Sequence, residues 1–136
     1  MKNVSPPDYG EAQILAEILA CGWENWNLAG RIIDQTIYAI RVISSYVTFY
    51  KAEIPTMYWR ELKRGLPRKQ KIKILRWPGE NGIRSGLDLA IPEERHAVFE
   101  TITKIRQSLL KSASSTTTST SHIVTSITAL TEQENF

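Results

Sequence analysis

The residues best suited to chemistry in this chain are lysines and arginines, and they are concentrated in one short segment. From Arg60 to Arg84 the sequence holds nine basic residues and two acidic ones. Lys and Arg bind phosphate and carboxylate groups through charge-assisted hydrogen bonds, so this segment indicates an anionic partner. The side chains predicted to contact nucleic acid are Arg60, Lys63, Arg64, Arg68, Lys69, Lys71, Lys73, Arg76 and Arg84.

The positive charge of the whole protein comes from the same region. The chain of 136 residues has a net charge of +3, but residues 51–84 alone hold ten basic and three acidic residues. Residues 1–50 and residues 85–136 each carry a net charge of −2. Segregated charge bears on partners rather than on fold. Because phosphate contacts carry little sequence information, both DNA and RNA are open as the nucleic acid.

Aromatic residues among the basic ones indicate a second kind of contact. Tyr58, Trp59 and Trp77 can stack on bases where they are exposed, which favours single-stranded nucleic acid or RNA. In the other interpretation these rings belong to the core. Trp23 and Trp26, together with Tyr58 and Trp59, lie near the ends of predicted elements and are typical anchors of a protein–protein interface.

Catalytic and metal-binding patterns are missing from the sequence. The two histidines, His96 and His122, are 26 residues apart, and Cys21 is the only cysteine. Cys21 follows an apolar helix, which favours a buried thiol over a nucleophile. Asp88 has no Glu-x-Lys motif on a neighbouring strand, so a metal-dependent nuclease core is not indicated. We therefore predict no enzyme activity, no catalytic residue, no metal and no cofactor.

The N-terminal part of the chain is predicted to form two helices. Ile14, Leu15, Ile18 and Leu19 make an apolar stripe of helical spacing, which Gly22 would end. A second helix is predicted from another set of apolar residues at helical spacing, namely Leu28, Ile32, Ile33, Ile37, Ile40 and Ile43.

The basic segment begins within a short predicted helix. The β-branched and aromatic run 46–50 favours a strand, although one long helix over residues 27–51 remains the alternative. Pro55 is suited to the start of a helix, and Gly65 to its end in a left-handed conformation. On that helix, the three- and four-residue spacings within 60–64 place the basic side chains on one face.

A β-hairpin and a last helix are predicted after the connector. Residues 71–77 are rich in strand formers, and apolar residues alternate again from 83 to 91, after the Asn81–Gly82 turn. Pro92 then begins a helix that reaches residue 111, with acidic residues in the first turn, where the helix dipole favours them.

Together these elements predict an α+β fold that is mainly helical. Two N-terminal helices and the C-terminal helix would pack on a small antiparallel sheet from residues 46–50, 71–77 and 85–91. An all-α bundle is the alternative.

The domain organisation follows from composition. Residues 1–10 are predicted to be an irregular arm, residues 11–111 a single compact domain, and residues 112–136 a flexible tail. Twelve of the seventeen residues from Ser112 to Thr128 are Ser or Thr, which bury little apolar area. Within the tail, "HIVTSITAL" is a possible short docking segment.

Two hypotheses for the function follow. The first is a small non-enzymatic nucleic-acid-binding protein, an accessory subunit of a nucleoprotein complex. The second is a protein–protein adaptor or structural subunit whose basic face binds an acidic partner chain. A single cysteine, no apolar N-terminal leader and an apolar stretch broken by Asp34, Gln35 and Arg41 predict a cytoplasmic protein without a membrane span.

Overall fold

The computed structural model describes residues 9–79 and 86–114. Several sequence predictions lie outside these residues: the arm over residues 1–8, the Asn81–Gly82 turn, Arg84, and the tail from residue 115 onward. In chain order the elements are α1 (Tyr9–Ala29), β1 (Gln35–Ile43), β2 (Tyr46–Ile54), α2 (Thr56–Leu62), β3 (Lys73–Trp77), β4 (Leu87–Asp88) and α3 (Pro92–Ser114).

The predicted fold class is confirmed. Three helices account for 51% of the described residues, and the four strands form one antiparallel sheet. The all-helical alternative is therefore wrong. None of the described helices combines the length and the apolar character that crossing a membrane would require.

The sheet is built around β2, which pairs along both of its edges. A tight turn at Ser44 and Ser45 joins β1 to β2, so that Ile43 lies opposite Tyr46. Ser44 has a φ of 52°, as the two-residue turns between antiparallel strands require at their first position. On the other edge of β2, both β3 and β4 pair with it.

The predicted hairpin over residues 71–91 is wrong in its pairing. Trp77 of β3 lies opposite Phe49, and Leu87 of β4 lies opposite Val47. The two strands thus follow one another along the same edge of β2 instead of pairing with each other. Of the strand predicted over residues 85–91, only Leu87–Asp88 forms one, and the alternation of apolar residues does not say which neighbour a strand takes.

Helices cover both faces of the sheet. Side chains alternate along a strand, so Tyr50 and Ala52 of β2 point to one face and Val47 and Phe49 to the other. The first face forms a core with α1 and α2 that contains Ile14, Ile18, Ile37, Tyr50, Ala52, Ile54 and Trp59. The second face packs on Val98 of α3.

The second predicted helix is replaced by β1. Because both faces of this strand are covered, apolar residues occupy both alternating sets, and their positions also fit a helical period. The β-branched residues Ile37, Ile40, Val42 and Ile43 have the strand preference that decides the local conformation.

The first helix is longer than predicted. Gly22 lies inside α1, and the helix ends instead before Gly30, which has a φ of 64° and donates its N–H to the carbonyl of Trp26 at 3.0 Å. The helix also begins at Tyr9, within the stretch expected to be irregular. At the other end of the domain, α3 starts at Pro92 as predicted and continues to Ser114.

Candidate nucleic-acid interface

The short helix α2 is held in place at its start and on its buried side. The N–H of Thr56 donates to Oδ1 of Asp34 at 2.7 Å, and this hydrogen bond lowers the pKa of Asp34. Trp59, whose side chain is 0% exposed, belongs to the same buried core as Ile14 and Ile18 of α1. The helix therefore presents its opposite side to solvent in a fixed orientation.

The basic residues of α2 and its end lie on the exposed side. Arg60, Lys63 and Arg64 are all exposed, as the spacing predicted. Helix α2 ends at Leu62, two residues before the predicted end, and Gly65 beyond it has a positive φ of 141°. The Nζ of Lys63 lies 5.4 Å from the centre of the Trp26 ring, so this ammonium rests over an aromatic face of α1.

The connector between α2 and β3 is tied back to α2 by one carboxylate. Oε2 of Glu61 accepts the backbone N–H groups of Arg68, Lys69 and Gln70, each at 3.1 Å. The N–H of Gln70, followed by those of Lys69 and Arg68, lowers the pKa of Glu61 below its usual value. The connector thus has a defined shape, and its basic side chains, Arg68 and Lys69, are exposed.

Lys71 and Lys73 differ from the other basic residues because acidic residues line the same groove. Both are exposed, and they line an open groove of about 440 Å³ together with Asp34 and Glu53. Glu53 is also 2.7 Å from Nζ of Lys51, which lowers the pKa of Glu53. Negative charge therefore offsets part of the positive charge in this groove.

Five of the nine predicted contacts lie on α2, at its C-terminal end or in the connector, and we call them the basic surface: Arg60, Lys63, Arg64, Arg68 and Lys69. Among residues 9–79 and 86–114, none of the five forms an ion pair with a carboxylate. Between Arg60 and Lys73 the one acidic residue is Glu61, and its Oε2 is engaged by the connector backbone.

Arg76 is separate from the basic surface. Its side chain is only 20% exposed, and its Nη1 lies 3.1 Å from Oε1 of Glu11 in α1. The hydroxyl of Tyr50 donates to the same carboxylate oxygen at 2.9 Å. Arg76 therefore joins β3 to α1, in contrast to its predicted contact with nucleic acid.

The three residues predicted to stack on bases differ in how far they are exposed to solvent. Trp59 cannot stack on a base in this fold, since its side chain is fully buried. Tyr58 is half-buried and meets the Trp59 ring edge-on at 5.9 Å. Trp77 is 44% exposed and lies 5.8 Å from Phe49, on the face of the sheet that α3 covers.

Sequence reasoning missed two aromatic residues as neighbours of the basic segment. Trp23 is 42% exposed, and its ring is 4.8 Å from that of Trp26 and 6.4 Å from that of Trp59. Their three-residue spacing puts Trp23 and Trp26 on one side of a helix. The spacing of the two tryptophans is visible in "WENWN", but it places them on one side of a helix only if α1 continues beyond Gly22.

Asp88, which was considered for a metal-dependent nuclease core, helps to form a turn. Asp88 accepts the N–H of Ala90 through Oδ1 at 2.9 Å, as expected of a residue in a turn. In the part of the chain that the structure describes, no group of three or more His, Cys, Asp or Glu side chains is placed to hold a metal ion.

Comparison with known proteins gives no relative from which a role can be transferred. No protein-family model matches the chain, and no curated protein or solved structure matches it either. Geometry and charge are therefore the basis for inferring its function.

Proposed function

We propose that the protein is a small non-enzymatic nucleic-acid-binding protein, an accessory subunit of a nucleoprotein complex. Its contacts with phosphates are made by the basic surface on α2 and the connector. The observation that carries this proposal is the triple hydrogen bond at Glu61, which gives an ordered shape to a connector rich in exposed positive charge.

Order matters because a charge that is already positioned loses less conformational entropy when it meets a phosphate. A connector without the Glu61 contacts would present the same charges on a mobile loop. Here Arg68 and Lys69 are held close to α2, and the other three basic residues of the surface lie on this helix or directly after it. Neighbouring phosphates along one strand can therefore be contacted together.

The test is the salt dependence of binding to DNA and RNA of random sequence. Substituting Arg60, Arg64 and Lys69 with Gln removes three proposed phosphate contacts. The slope of log K against log salt should then fall in magnitude by about 3 for duplex DNA and by about 2 for single strands. The matched control replaces three exposed basic residues of α3, Lys104, Arg106 and Lys111, with Gln and should leave the slope unchanged. Equal slopes for the two triple variants would refute the proposal.

A protein–protein adaptor is the second candidate, because α3 carries apolar side chains that nothing in the described residues covers. Phe99, Ile102 and Leu110 are exposed on this helix, and an apolar patch is typical of a binding surface. In this candidate the basic surface binds an acidic partner chain. A pull-down after nuclease treatment separates the two: persistence of the same partner favours the adaptor, and its loss favours nucleic acid.

A further inference from the structure

An aromatic cluster adjoins the basic surface, although sequence separates the two by more than 30 residues. The rings of Trp23 and Trp26 meet edge-on at 4.8 Å, with an angle of 74° between their planes. Nζ of Lys63, a member of the basic surface, lies 5.4 Å from the centre of the Trp26 ring. An exposed indole and a phosphate-binding ammonium are therefore both in contact with Trp26.

The aromatic cluster packs against the buried core. The buried Trp59 ring lies 6.4 Å from Trp23 and 6.2 Å from Trp26. This approach depends on Gly22, because a Cβ at that position would lie 2.6 Å from the Trp59 ring. Trp23 is consequently supported on one side by two other rings while 42% of its surface faces solvent.

We infer that Trp23 is a stacking platform for an unpaired base, so that the nucleic acid bound by this protein is single-stranded. This inference rests on the proposed function and adds a substrate class to it. Trp23 and Lys63 both lie beside the Trp26 ring, so positive charge is close to a base stacked on Trp23. In a duplex the base faces are already stacked on one another, so an indole on a helix surface has no base to meet.

The chain offers a matched control for this residue. Trp77 is exposed to nearly the same extent, 44%, and it too has an aromatic neighbour, Phe49. It lies on the opposite face of the sheet from α1 and α2, and Arg76 beside it is paired with Glu11. If binding depends on a ring beside the basic surface and not on exposed tryptophan in general, only substitution of Trp23 should weaken it.

The experiment measures binding of the full chain to a labelled oligothymidylate of about 15 nucleotides and to its duplex with oligoadenylate. The variants are Trp23→Leu, Trp23→Phe and Trp77→Leu. Leucine retains apolar contact with Trp26 and Trp59 but has no aromatic face, whereas phenylalanine retains a face. Thermal melting of each variant verifies that the fold is kept.

The expected result is that the parent prefers the single strand and that Trp23→Leu weakens this binding by about 5- to 150-fold. Trp23→Phe should retain most of the affinity, and Trp77→Leu should retain all of it. Duplex binding should be the same in all four proteins.

Three outcomes count against the inference: two refute the stacking platform alone, and one refutes the proposed function. If the parent binds single strand and duplex equally, and Trp23→Leu changes neither, the proposed function stands and the stacking platform does not. The same holds if Trp77→Leu, and not Trp23→Leu, weakens binding. If the parent binds neither nucleic acid at low salt, the proposed function itself fails.

Discussion

Oε2 of Glu61 lies 3.1 Å from the backbone nitrogen of Lys69, so an acidic residue of α2 fixes the position of a basic residue in the connector. The same oxygen accepts the N–H groups of Arg68 and Gln70. Three successive backbone N–H groups that converge on one anion form the kind of concave site that binds phosphates in other proteins. In this chain the anion is the Glu61 carboxylate, and its hydrogen bonds order the basic connector.

Replacing Glu61 with Gln should loosen the connector, because hydrogen bonds to a neutral oxygen are about half as strong as those to a carboxylate. Faster hydrogen exchange is expected at the amides of residues 68–70, with no change at the amides of β2. If Arg68 and Lys69 act through their fixed position, the salt slope of nucleic-acid binding should fall by up to about 2.

The matched control is Glu53→Gln, since Glu53 is exposed and pairs with a lysine side chain instead of loop amides. Exchange at residues 68–70 that is unaffected by Glu61→Gln would show that the connector is ordered by other contacts.

The order of the connector should also depend on pH. The three N–H groups lower the pKa of Glu61 from its usual 4.5, so the folded carboxylate stays charged to lower pH than the unfolded one. Its contribution is therefore complete above about pH 4.5 and is lost as the pH falls through the lowered pKa. The amide proton shift of Lys69, followed by NMR, should titrate with a midpoint below 4.5. The Glu61→Gln protein should lack this transition, and a midpoint above 4.5 in the parent would contradict the assignment.

Gly22→Ala should destabilise the domain by about 1–3 kcal/mol, as overpacking of a tight core does. The added methyl group would lie 2.6 Å from the Trp59 ring and 3.0 Å from Cδ1 of Ile37, neither of which has free space. Chemical denaturation gives the measurement. Ala20→Gly, at an exposed position of the same helix, is the reference and should cost about 1 kcal/mol or less through helix propensity alone. A Gly22→Ala protein more stable than the parent would mean that α1 does not approach Trp59 so closely.

Loss of the charge at Arg76 should lower stability, whereas loss of the charge at Lys69 should weaken nucleic-acid binding. Arg76→Met breaks the contact with Glu11, so we expect a loss of about 1 kcal/mol in the free energy of unfolding and unchanged binding. Lys69→Gln should leave stability within about 0.5 kcal/mol and reduce the salt slope by about 1. Denaturation and salt titration of both variants test the pair. A reversed pattern would place Arg76 in the interface and Lys69 outside it.

Much of the local structure was predictable from single residues with strong steric or electrostatic preferences. Pro92 marks the start of α3, with Glu93 and Glu94 in its first turn. Gly65 marks the end of α2. The run 46–50 was correctly assigned to a strand, because a short run of β-branched and aromatic side chains fits the half-buried surface of a sheet.

The errors arose where burial comes from elements far apart in sequence. Strand β1 looked helical because helices cover both of its faces, which removes the alternation that would have identified it. The hairpin was paired wrongly because β2 offered its free edge to both β3 and β4. Gly22 was assigned to a helix end, yet its lack of a side chain serves the contact with Trp59.

For the candidate site, the sequence by itself determined that one segment carries the positive charge, since charge is a property of residue type. The tertiary structure decided which of these charges lie together. It turned Arg76 toward Glu11, buried Trp59, brought Trp23 to the side of Lys63 through Trp26, and closed the connector on Glu61. These outcomes depend on pairings between distant parts of the chain, which only packing of the helices on the sheet can select.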